Sequence, residues 1–418
     1  MRILLVTMEV PFPPVSGHRL HLWSLVRALA DEDHELALVS FAQPGESAQD
    51  LGPLHRLVDH LDLVPVATSI HPLGESLRRL LALRVGRPYG AVRYASPAMA
   101  ECVRERLACS NFDAVICDEI YPIVNLPKHL TVPVIADTQH VAYLLLQRYA
   151  QHLRNPLARL YFRVEAEKMR KWEARLCRQV AAVGACSEFD GELFRQLCPG
   201  VRTVSIPNVV DVDAYQPGAQ GEGDRLLYCG ALDWYPNQDA VTYFVSEILP
   251  GIRERVPDAR LVVAGRSPSE VFKRKFAPST AVEFTGTVPD MRPQFARAAV
   301  FVVPLRIAGG TRIKILEAAA MAQPIVSTRI GAEGLDFIDG KEIVLADDPR
   351  DFAAAVAGLL TDPVRRRALG QAARRRVDQQ YGLAALRSAI GEALEEVTGS
   401  RSANYDLVSR RQSVIDEV

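Results

Sequence analysis

Short apolar runs alternate with longer amphipathic stretches through the first 205 residues of the chain. Most of these runs are apolar on both faces, which is typical of strands buried in a parallel sheet. Helical periodicity separates them, most clearly over residues 19–30, 97–108 and 156–178. The alternation predicts a doubly wound α/β domain. The predicted strands are residues 3–7, 35–40, 61–66, 114–117, 132–136 and 180–183.

A second series of the same kind begins after residue 222. The intervening segment, 206–224, has the Pro, Gly and polar composition of a linker. We therefore expect one domain over 1–205, another over 225–375, a C-terminal helix over 376–398 and a poorly ordered tail over 399–418. In this second series the predicted strands are 226–229, 260–264, 282–285, 299–303, 325–327 and 342–345, and the predicted helices are 240–254, 291–297, 311–322, 349–361, 363–380 and 383–398.

Composition narrows the class of protein. A chain of 418 residues is too long for one ordinary core, so two domains are expected. The net charge of −1 argues against a nucleic-acid binder. Seven cysteines without metal-ligand spacing favour a reduced, cytoplasmic chain. The short apolar N-terminus does not fit a signal peptide, and no apolar run of about 18 residues predicts a transmembrane helix.

Residues 304–324 carry the most informative chemistry. The pattern predicts the end of a strand, a loop with Gly309 and Gly310, and a helix that starts near Thr311, with Arg312 and Lys314 in its first turn. Cations there oppose the helix dipole, and a glycine loop at a helix N-terminus suits phosphate. At ~1.5 Å per residue, Glu317 lies roughly 9 Å further along, near the separation of a diphosphate from its ribose. The segment therefore predicts a nucleoside diphosphate site.

Three other loops leave predicted strands at the carboxyl edge of a sheet, where ligands bind. In the first, prolines stiffen the chain before Gly17. In the second, Gly230 serves a ligand or a tight turn, and Asn237 is best interpreted as a helix cap. In the third, His140 is either a catalytic group or a structural hydrogen-bonding residue. Each loop is also compatible with an ordinary connector.

Two charged patterns leave alternatives open. Asp211 and Asp213 have the spacing of metal-dependent sugar transferases, but the favoured interpretation is that Asp213 caps a turn and that Asp347 and Asp348 form a loop and a helix start. Arginines and lysines give residues 148–178 a basic face. A solvated helix is the ordinary interpretation, and contact with an anionic membrane or acceptor is the alternative.

With these loops placed, the chain resembles the family-4 glycosyltransferases of the GT-B fold. The resemblance implies two doubly wound Rossmann-like domains facing each other across a cleft, with the last helix crossing back to the first. It implies transfer of a hexose-type sugar, with retention and without a metal or cofactor, from a UDP- or GDP-linked donor to an acceptor hydroxyl. The matching pieces are the loop ending at Gly17, the linker Ser205–Asp211, and residues 261–265, 282–287, 309–317, 324–328 and 331–335.

The resemblance also assigns roles to residues of this sequence. Glu317 would bind the donor ribose, and His140 would contact the reacting sugar. Glu9, Ser16 and His18 would lie on the acceptor side. The donor loops would contribute Gly230, Asn237, Arg266 and Val288. The diphosphate would be bound by Gly17, Gly309, Gly310, Thr311, Arg312 and Lys314.

Three departures from the family pattern affect these roles. Gly309 stands where the family commonly has Glu. Ala231 and Asn237 stand at or near the places of an Arg and a Lys that grip the diphosphate. We therefore expect Arg312 and Lys314 to supply the missing charge. Gln139 stands where an active-site His belongs and His140 where Asn belongs, and of the two we favour His140 as the sugar contact.

Two other functions fit the same architecture. A sugar-nucleotide 2-epimerase would need acids and bases near the sugar, of which the sequence offers few obvious examples. A non-catalytic nucleotide-sugar-binding scaffold would explain the departures at Gly309, Ala231 and Gln139. The sequence does not identify the base, the sugar or the acceptor. Location in the cytoplasm is expected, at the inner membrane face if the basic segment binds lipid.

Overall fold

The computed structural model describes residues 1–46, 51–66, 86–218, 221, 223–266, 268–277 and 279–399. The chain divides into two compact units, the first containing residues 1–207 and the chain from Leu386 onward, the second containing residues 208–385. Much of the predicted linker thus belongs to the second unit, which also extends past the predicted boundary at 375. The tail expected to be poorly ordered lies, from residue 400, outside the described residues.

The first unit is built on a seven-stranded sheet in the order β3-β2-β1-β4-β5-β6-β7. Each neighbouring pair is parallel. β1 and β4 are buried over nearly their whole length, as the apolar runs predict. Only the last strand was not predicted. The strands are β1 (Arg2–Thr7), β2 (Glu35–Ala42), β3 (His60–Pro65), β4 (Ala114–Asp118), β5 (Val134–Thr138), β6 (Ala182–Ala185) and β7 (Thr203–Ser205).

Four helices of the first unit begin at side-chain caps. Ser16, Ser96, Asn155 and Ser187 each accept a backbone N–H of the helix that follows. The sequence did not predict the helices over 142–152 and 188–197. The helices are α1 (Gly17–Ala30), α2 (Gly52–His55), α3 (Tyr89–Tyr94), α4 (Pro97–Cys109), α5 (Ala142–His152), α6 (Pro156–Cys177) and α7 (Glu188–Leu197), with a 3₁₀ turn at Pro122–Asn125.

The second unit is built on a six-stranded parallel sheet in the order β10-β9-β8-β11-β12-β13. Its core includes the fully buried rings of Phe244, Phe295, Phe301 and Phe352. Every predicted strand of this half is present. The strands are β8 (Arg225–Cys229), β9 (Arg260–Ala264), β10 (Val282–Gly286), β11 (Val300–Val303), β12 (Ile325–Ser327) and β13 (Val344–Leu345).

One predicted helix of this half is divided in the structure. The helix predicted over 240–254 begins at Tyr235 and is interrupted by a π turn at Phe244–Ile248, just before Pro250, which has no N–H to continue the α pattern. No described helix is both long and apolar enough to cross a membrane. The helices are α8 (Tyr235–Tyr243), α9 (Leu249–Arg253), α10 (Glu270–Arg274), α11 (Arg292–Arg297), α12 (Ile313–Ala320), α13 (Arg329–Ala332), α14 (Pro349–Thr361), α15 (Pro363–Gln380) and α16 (Leu383–Gly399), which runs into the first unit.

Candidate functional site

The glycine loop before α12 is closed by Arg312. The helix begins at Ile313, and Arg312 is its N-cap residue in extended backbone (φ −100°, ψ 98°). The expectation that both cations occupy the first turn is therefore wrong for Arg312. Its buried guanidinium donates from Nη1 to the carbonyl of Gly309 (3.0 Å) and from Nη2 to that of Glu333 (2.8 Å). Gly310, at φ 67°, makes the left-handed turn that the loop needs.

Lys314 extends from α12 to the end of β8. Its Nζ donates to the carbonyl of Cys229 at 2.6 Å and to Oδ1 of Asn237 at 3.2 Å, and lies 4.6 Å from the ring centroid of Tyr228. In the described part of the chain, these partners are all neutral. Burial lowers the pKa of Lys314. A buried cation with neutral partners leaves positive charge available to an anion.

Two glycines make room for this lysine. A Cβ on Gly230 would lie 2.8 Å from Nζ of Lys314 and 2.9 Å from the Asn237 amide. A Cβ on Gly265, whose φ is +148°, would lie 2.0 Å from the Gly230 carbonyl oxygen. The close approach of the two loop backbones therefore requires glycine at position 265, whereas a side chain at position 230 would have to displace the Lys314 and Asn237 side chains.

Asn237 does not cap a helix, contrary to the prediction. Trp234 is the N-cap residue of α8, and Asn237 lies inside the first turn. Its amide donates to the Ala231 carbonyl at 2.8 Å, and its Oδ1 accepts from the Tyr228 hydroxyl at 2.6 Å. Asn237 thus orders the loop that receives Lys314.

Glu317 and Thr311 are both contacted by residues 208–215, which we call the strap. The Tyr215 hydroxyl donates to Oε1 of Glu317 at 2.5 Å, and Nδ2 of Asn208 donates to Oγ1 of Thr311 at 2.7 Å. Burial raises the pKa of Glu317, while Tyr215 and Lys314 oppose that shift. Asn208 lies in the linker motif Ser205–Asp211 that supports the family resemblance, but no role was predicted for it or for Tyr215, because both lie in the segment interpreted as a linker.

The remaining predictions for the second unit fall in loops or at a helix end. Arg266 lies 3.4 Å from Asp233 in a half-exposed ion pair, and Val288 is partly buried in the loop after β10. Asp211 accepts the N–H of Ala214 at 3.1 Å, so Asp211 caps this turn, whereas the prediction named Asp213. Asp348 caps α14, which confirms the helix start predicted there.

In the first unit, His18 lies between two carboxylates. Its Nδ1 is 3.0 Å from Oε1 of Glu9, and its Nε2 is 2.8 Å from Oδ1 of Asp118. Burial alone would lower the pKa of His18, but the two acids outweigh it and raise it well above its ordinary value. Burial likewise opposes ionisation of Glu9, yet His18 and Arg19 lower its pKa to about 2. His18 is therefore a cation, neutralised on both sides.

Ser16 and Gly17 lie just before this group. Ser16 is the N-cap residue of α1 and accepts the N–H of Arg19 at 3.2 Å, and Gly17 is the first residue of that helix. These contacts explain the two residues structurally, and the ligand roles assigned to them stay predictions.

His140 belongs to a second acid–histidine group. Its Nδ1 lies 3.3 Å from Oε1 of Glu119, whose backbone has a φ of 62°. Gln139 is bonded to the same region, with its N–H donating to Glu119. Burial would raise the pKa of Glu119, but His140 outweighs it and lowers that pKa, and the pKa of His140 rises despite burial. The structure therefore brings both Gln139 and His140 to the end of β4, and the choice of His140 as the sugar contact stays a prediction.

A fully buried acid–histidine pair, His21 and Asp137, is also present in the first unit. Nε2 of His21 is 2.7 Å from Oδ2 of Asp137. In the described part of the chain, Oδ1 of Asp137 and Oε2 of Glu119 are buried without a hydrogen bond. This unit therefore contains buried acid–histidine groups that the sequence analysis did not name. Asp118 and Glu119 follow a predicted strand directly, so the rule that selected His140 would also have found them.

Glu173 is a candidate functional residue that the sequence analysis did not identify. This fully buried residue of α6 accepts the backbone N–H groups of Ala142 (2.8 Å) and Tyr143 (2.9 Å), the first residues of α5. It caps α5, whose own N-cap Val141 makes no side-chain bond. Burial raises the pKa of Glu173 to about 7, against the effect of those two N–H groups. Because α5 starts two residues after His140, Glu173 also fixes the backbone beside that histidine.

Two family models match the chain. The model described as Glycosyltransferase Family 4 matches residues 15–214, and the model described as Glycosyl transferases group 1 matches residues 223–362. The chain belongs to family 4 of the glycosyltransferases. The resemblance seen in the sequence is therefore confirmed.

Curated relatives of this family-4 glycosyltransferase include two mycobacterial enzymes. The chain is 32% identical to the GDP-mannose-dependent alpha-(1-6)-phosphatidylinositol monomannoside mannosyltransferase of Mycolicibacterium smegmatis, over 43% of this chain and 50% of the relative. The match thus spans half the length of that protein. The glycogen synthase of Mycobacterium tuberculosis is 24% identical over 91% of both chains.

Solved structures support the fold of this glycosyltransferase. Sucrose-phosphate synthase from Thermosynechococcus elongatus superposes with a TM-score of 0.72 at 17% identity, over 96% of this chain and 100% of the other. Anabaena HepE in complex with UDP and glucose gives a TM-score of 0.66 at 12% identity, over 94% of this chain and 99% of the other. The predicted α/β GT-B class is confirmed.

Proposed function

We propose that this chain transfers a hexose from a UDP- or GDP-linked donor to an acceptor hydroxyl, with retention and without a metal. The observation that carries the proposal is Lys314, a buried cation whose described partners are neutral, one helical turn before Glu317. Charge of this kind suits a leaving diphosphate, because it acts in a site from which water is largely excluded. Arg312 adds a second positive charge at the glycine loop.

The chemistry needs no covalent intermediate. The bond from the anomeric carbon to the diphosphate oxygen breaks as that carbon bonds to the acceptor oxygen on the same face, and the acceptor hydroxyl gives its proton to the departing diphosphate oxygen. The diphosphate takes the bonding electron pair, and Lys314 and Arg312 stabilise the resulting charge. We assign ribose binding to Glu317 and contact with the reacting sugar to His140. Glu9, Ser16 and His18 are assigned to the acceptor.

Donor identity is the first point to test. One relative is named as GDP-mannose-dependent and one structural neighbour contains UDP, so both bases are candidates. Calorimetry and thermal shift against UDP, GDP, TDP and ADP should show binding of UDP or GDP and a raised melting temperature. Failure of all four to bind would contradict the proposal.

Turnover is the second point. The donor that binds is incubated with a panel of hydroxyl acceptors, and early product is examined by NMR. We expect the anomeric configuration of the donor to be retained, and an unchanged rate in the presence of EDTA. Inversion would contradict retention. Tight donor binding without turnover on any acceptor would favour a scaffold.

A sugar-nucleotide 2-epimerase is the second candidate. The acid–histidine groups of the first unit favour it, because epimerisation needs acids and bases that the sequence did not reveal. Donor incubated alone separates the two functions. An isomerised nucleotide-sugar indicates an epimerase, whereas slow hydrolysis or no change fits a transferase.

We also propose that the helix pair α5–α6 contacts an anionic membrane surface. The first half of α6 exposes an apolar stripe formed by Leu157 (77%), Leu160 (59%) and Val164 (41%). Arg154 and Arg163 are exposed beside it, and basic residues flanking apolar ones are the pattern of an interfacial helix. The seven cysteines are unbridged, in keeping with a cytoplasmic enzyme at the inner face.

Vesicle flotation tests this surface. The protein should float with vesicles containing phosphatidylglycerol and not with pure phosphatidylcholine. Replacing Leu157 and Leu160 with Ser should abolish flotation, whereas V271S/V364S, at side chains that are both 71% exposed, should not. Equal flotation of both double variants would contradict the assignment.

A further inference from the structure

Tyr215 makes a hydrogen bond to the residue proposed to bind ribose. Its hydroxyl donates to Oε1 of Glu317. Among the described residues, no other hydrogen bond to that carboxylate is present, so Oε2 is left available. A carboxylate has about four acceptor positions, and one neutral donor therefore leaves capacity for a ligand.

The strap that carries Tyr215 is itself fixed. Arg374, from α15, donates to the backbone carbonyls of Val212 and Tyr215 and to that of Ala320, the last residue of α12. Arg292 donates to the Ala214 carbonyl at 3.0 Å. One guanidinium thus joins the strap to the helix that carries Glu317. The position of the Tyr215 hydroxyl relative to that helix is consequently set by the fold before any ligand arrives.

We propose that Tyr215 is a positioning residue that orients the Glu317 carboxylate toward the donor ribose and so sets a preference for ribonucleotides over deoxyribonucleotides. The inference rests on the proposed donor site. Glu317 has three rotatable side-chain bonds, and the bond from Tyr215 removes much of that freedom in advance, so that less is lost on binding. The same bond stabilises the ionised carboxylate, which accepts hydrogen bonds more strongly than the neutral acid.

Substituting Tyr215 with Phe tests this role. Binding of UDP and GDP, and of their 2′,3′-dideoxy counterparts, is measured by calorimetry for wild type, Y215F and E317Q. For the ribonucleotide that binds wild type, Y215F should weaken affinity about tenfold, the size expected for a lost charge-assisted hydrogen bond. For the dideoxy form the change should stay within about twofold, since that ligand has no hydroxyl to present. Adding Y215F to E317Q should cause little further loss.

Tyr243 supplies a matched control. Its hydroxyl donates to a backbone carbonyl, that of Asp347, at 3.2 Å in the same unit. Y243F removes the same atom away from Glu317 and should leave the ribose preference unchanged.

Each other outcome overturns the inference. An equal loss for both ligands would show that Tyr215 supports the fold or the diphosphate and not the ribose. Unchanged or tighter binding of the ribonucleotide by Y215F would show that the tyrosine is neutral or competes for the carboxylate. If wild type binds no nucleotide at all, the proposed function itself fails. If wild type binds the ribonucleotide and Y215F leaves the ribose preference unchanged, this inference fails but the proposed function stands.

Discussion

His18 in the first unit and Lys314 in the second are two cations in the first turn of a helix, α1 and α12 respectively, and their surroundings are opposite. His18 is bonded by two carboxylates, and these outweigh its burial and raise its pKa. Lys314 is bonded by carbonyl, amide and hydroxyl oxygens, and burial lowers its pKa. One positive charge is hydrogen-bonded to two carboxylates, whereas the other is hydrogen-bonded to neutral groups and interacts with the Glu317 carboxylate without a hydrogen bond.

The difference separates two uses of buried charge. A cation between two acids is a structural unit, because loss of any member leaves an unpaired charge in a poorly hydrated place. A cation with neutral partners costs stability in the empty protein and regains that free energy when an anion binds. The surroundings of Lys314 therefore favour binding of an anion. The group around His18, by contrast, is a polar framework that is already complete without a ligand.

The largest effect is expected for His18→Gln. Glu9 and Asp118 would lose their shared cation, so the free energy of unfolding should fall by about 3 kcal/mol. The raised pKa of His18 contributes stability that is lost as pH rises above its folded value. The lowered pKa of Glu9 contributes stability that is lost as pH falls from 4.5 toward about 2. The loss should thus be greatest near pH 5–6.

Urea unfolding at pH 6 measures this change. His129→Gln, at an exposed histidine, is the control and should change stability by less than about 0.5 kcal/mol. If the two variants were equally stable, His18 would not be the centre of the first framework.

Lys314→Met should instead leave stability nearly unchanged. The loss of hydrogen bonds to Cys229 and Asn237 is offset because a charge no longer has to be buried, so we expect a change within about 1 kcal/mol. Affinity for UDP or GDP should fall by roughly 10- to 100-fold. Calorimetry and urea unfolding are measured on the same preparations, with exposed Lys341→Met as control. If Lys314→Met left nucleotide affinity unaltered and greatly reduced stability, Lys314 would be a structural residue, as His18 is.

Glu173→Gln tests the framework through its pH dependence. The folded pKa of Glu173 is raised from 4.5 to about 7, so the folded state binds the extra proton and its contribution to stability falls as pH rises through that interval. Wild type should therefore lose on the order of 2 kcal/mol more than E173Q between pH 5 and 8. Urea unfolding at both pH values gives the two slopes. Parallel slopes would mean that Glu173 ionises as it does in the unfolded chain.

Gly230→Ala is expected to have the smallest effect. The added methyl group would displace Lys314 and Asn237, so stability should fall by about 1–2 kcal/mol and nucleotide affinity should fall with it. Gly358→Ala, in α14 with no atom within 4 Å of the added carbon, should be slightly stabilising. If Gly230→Ala and Gly358→Ala had the same stability and the same nucleotide affinity, the Lys314 side chain could move without loss and the prediction would be wrong.

Local sequence patterns predicted strands and helix starts correctly where the rule depends only on residues that are neighbours in the chain. The apolar runs predicted most strands of both sheets, and Asp348 was predicted at a helix start that it does cap. Local patterns failed where a distant partner competed. Asn237 has the residue type of a cap, but Lys314 and Tyr228 claim its amide, and α8 begins before it. Arg312 bonds to two loop carbonyls, and the helix therefore begins after it.

The sequence by itself determined the α/β class, the family and the segment 309–317 in which glycines, cations and an acid follow one another. These features depend on periodicity and on residues close together in the chain. Only the tertiary structure decided how the charges are partnered, since hydrogen bonds such as Glu173 to α5, His18 to Asp118 and Tyr215 to Glu317 join residues about 30 to 100 positions apart. A buried charge is defined by its neighbours in space, and those neighbours are set by packing.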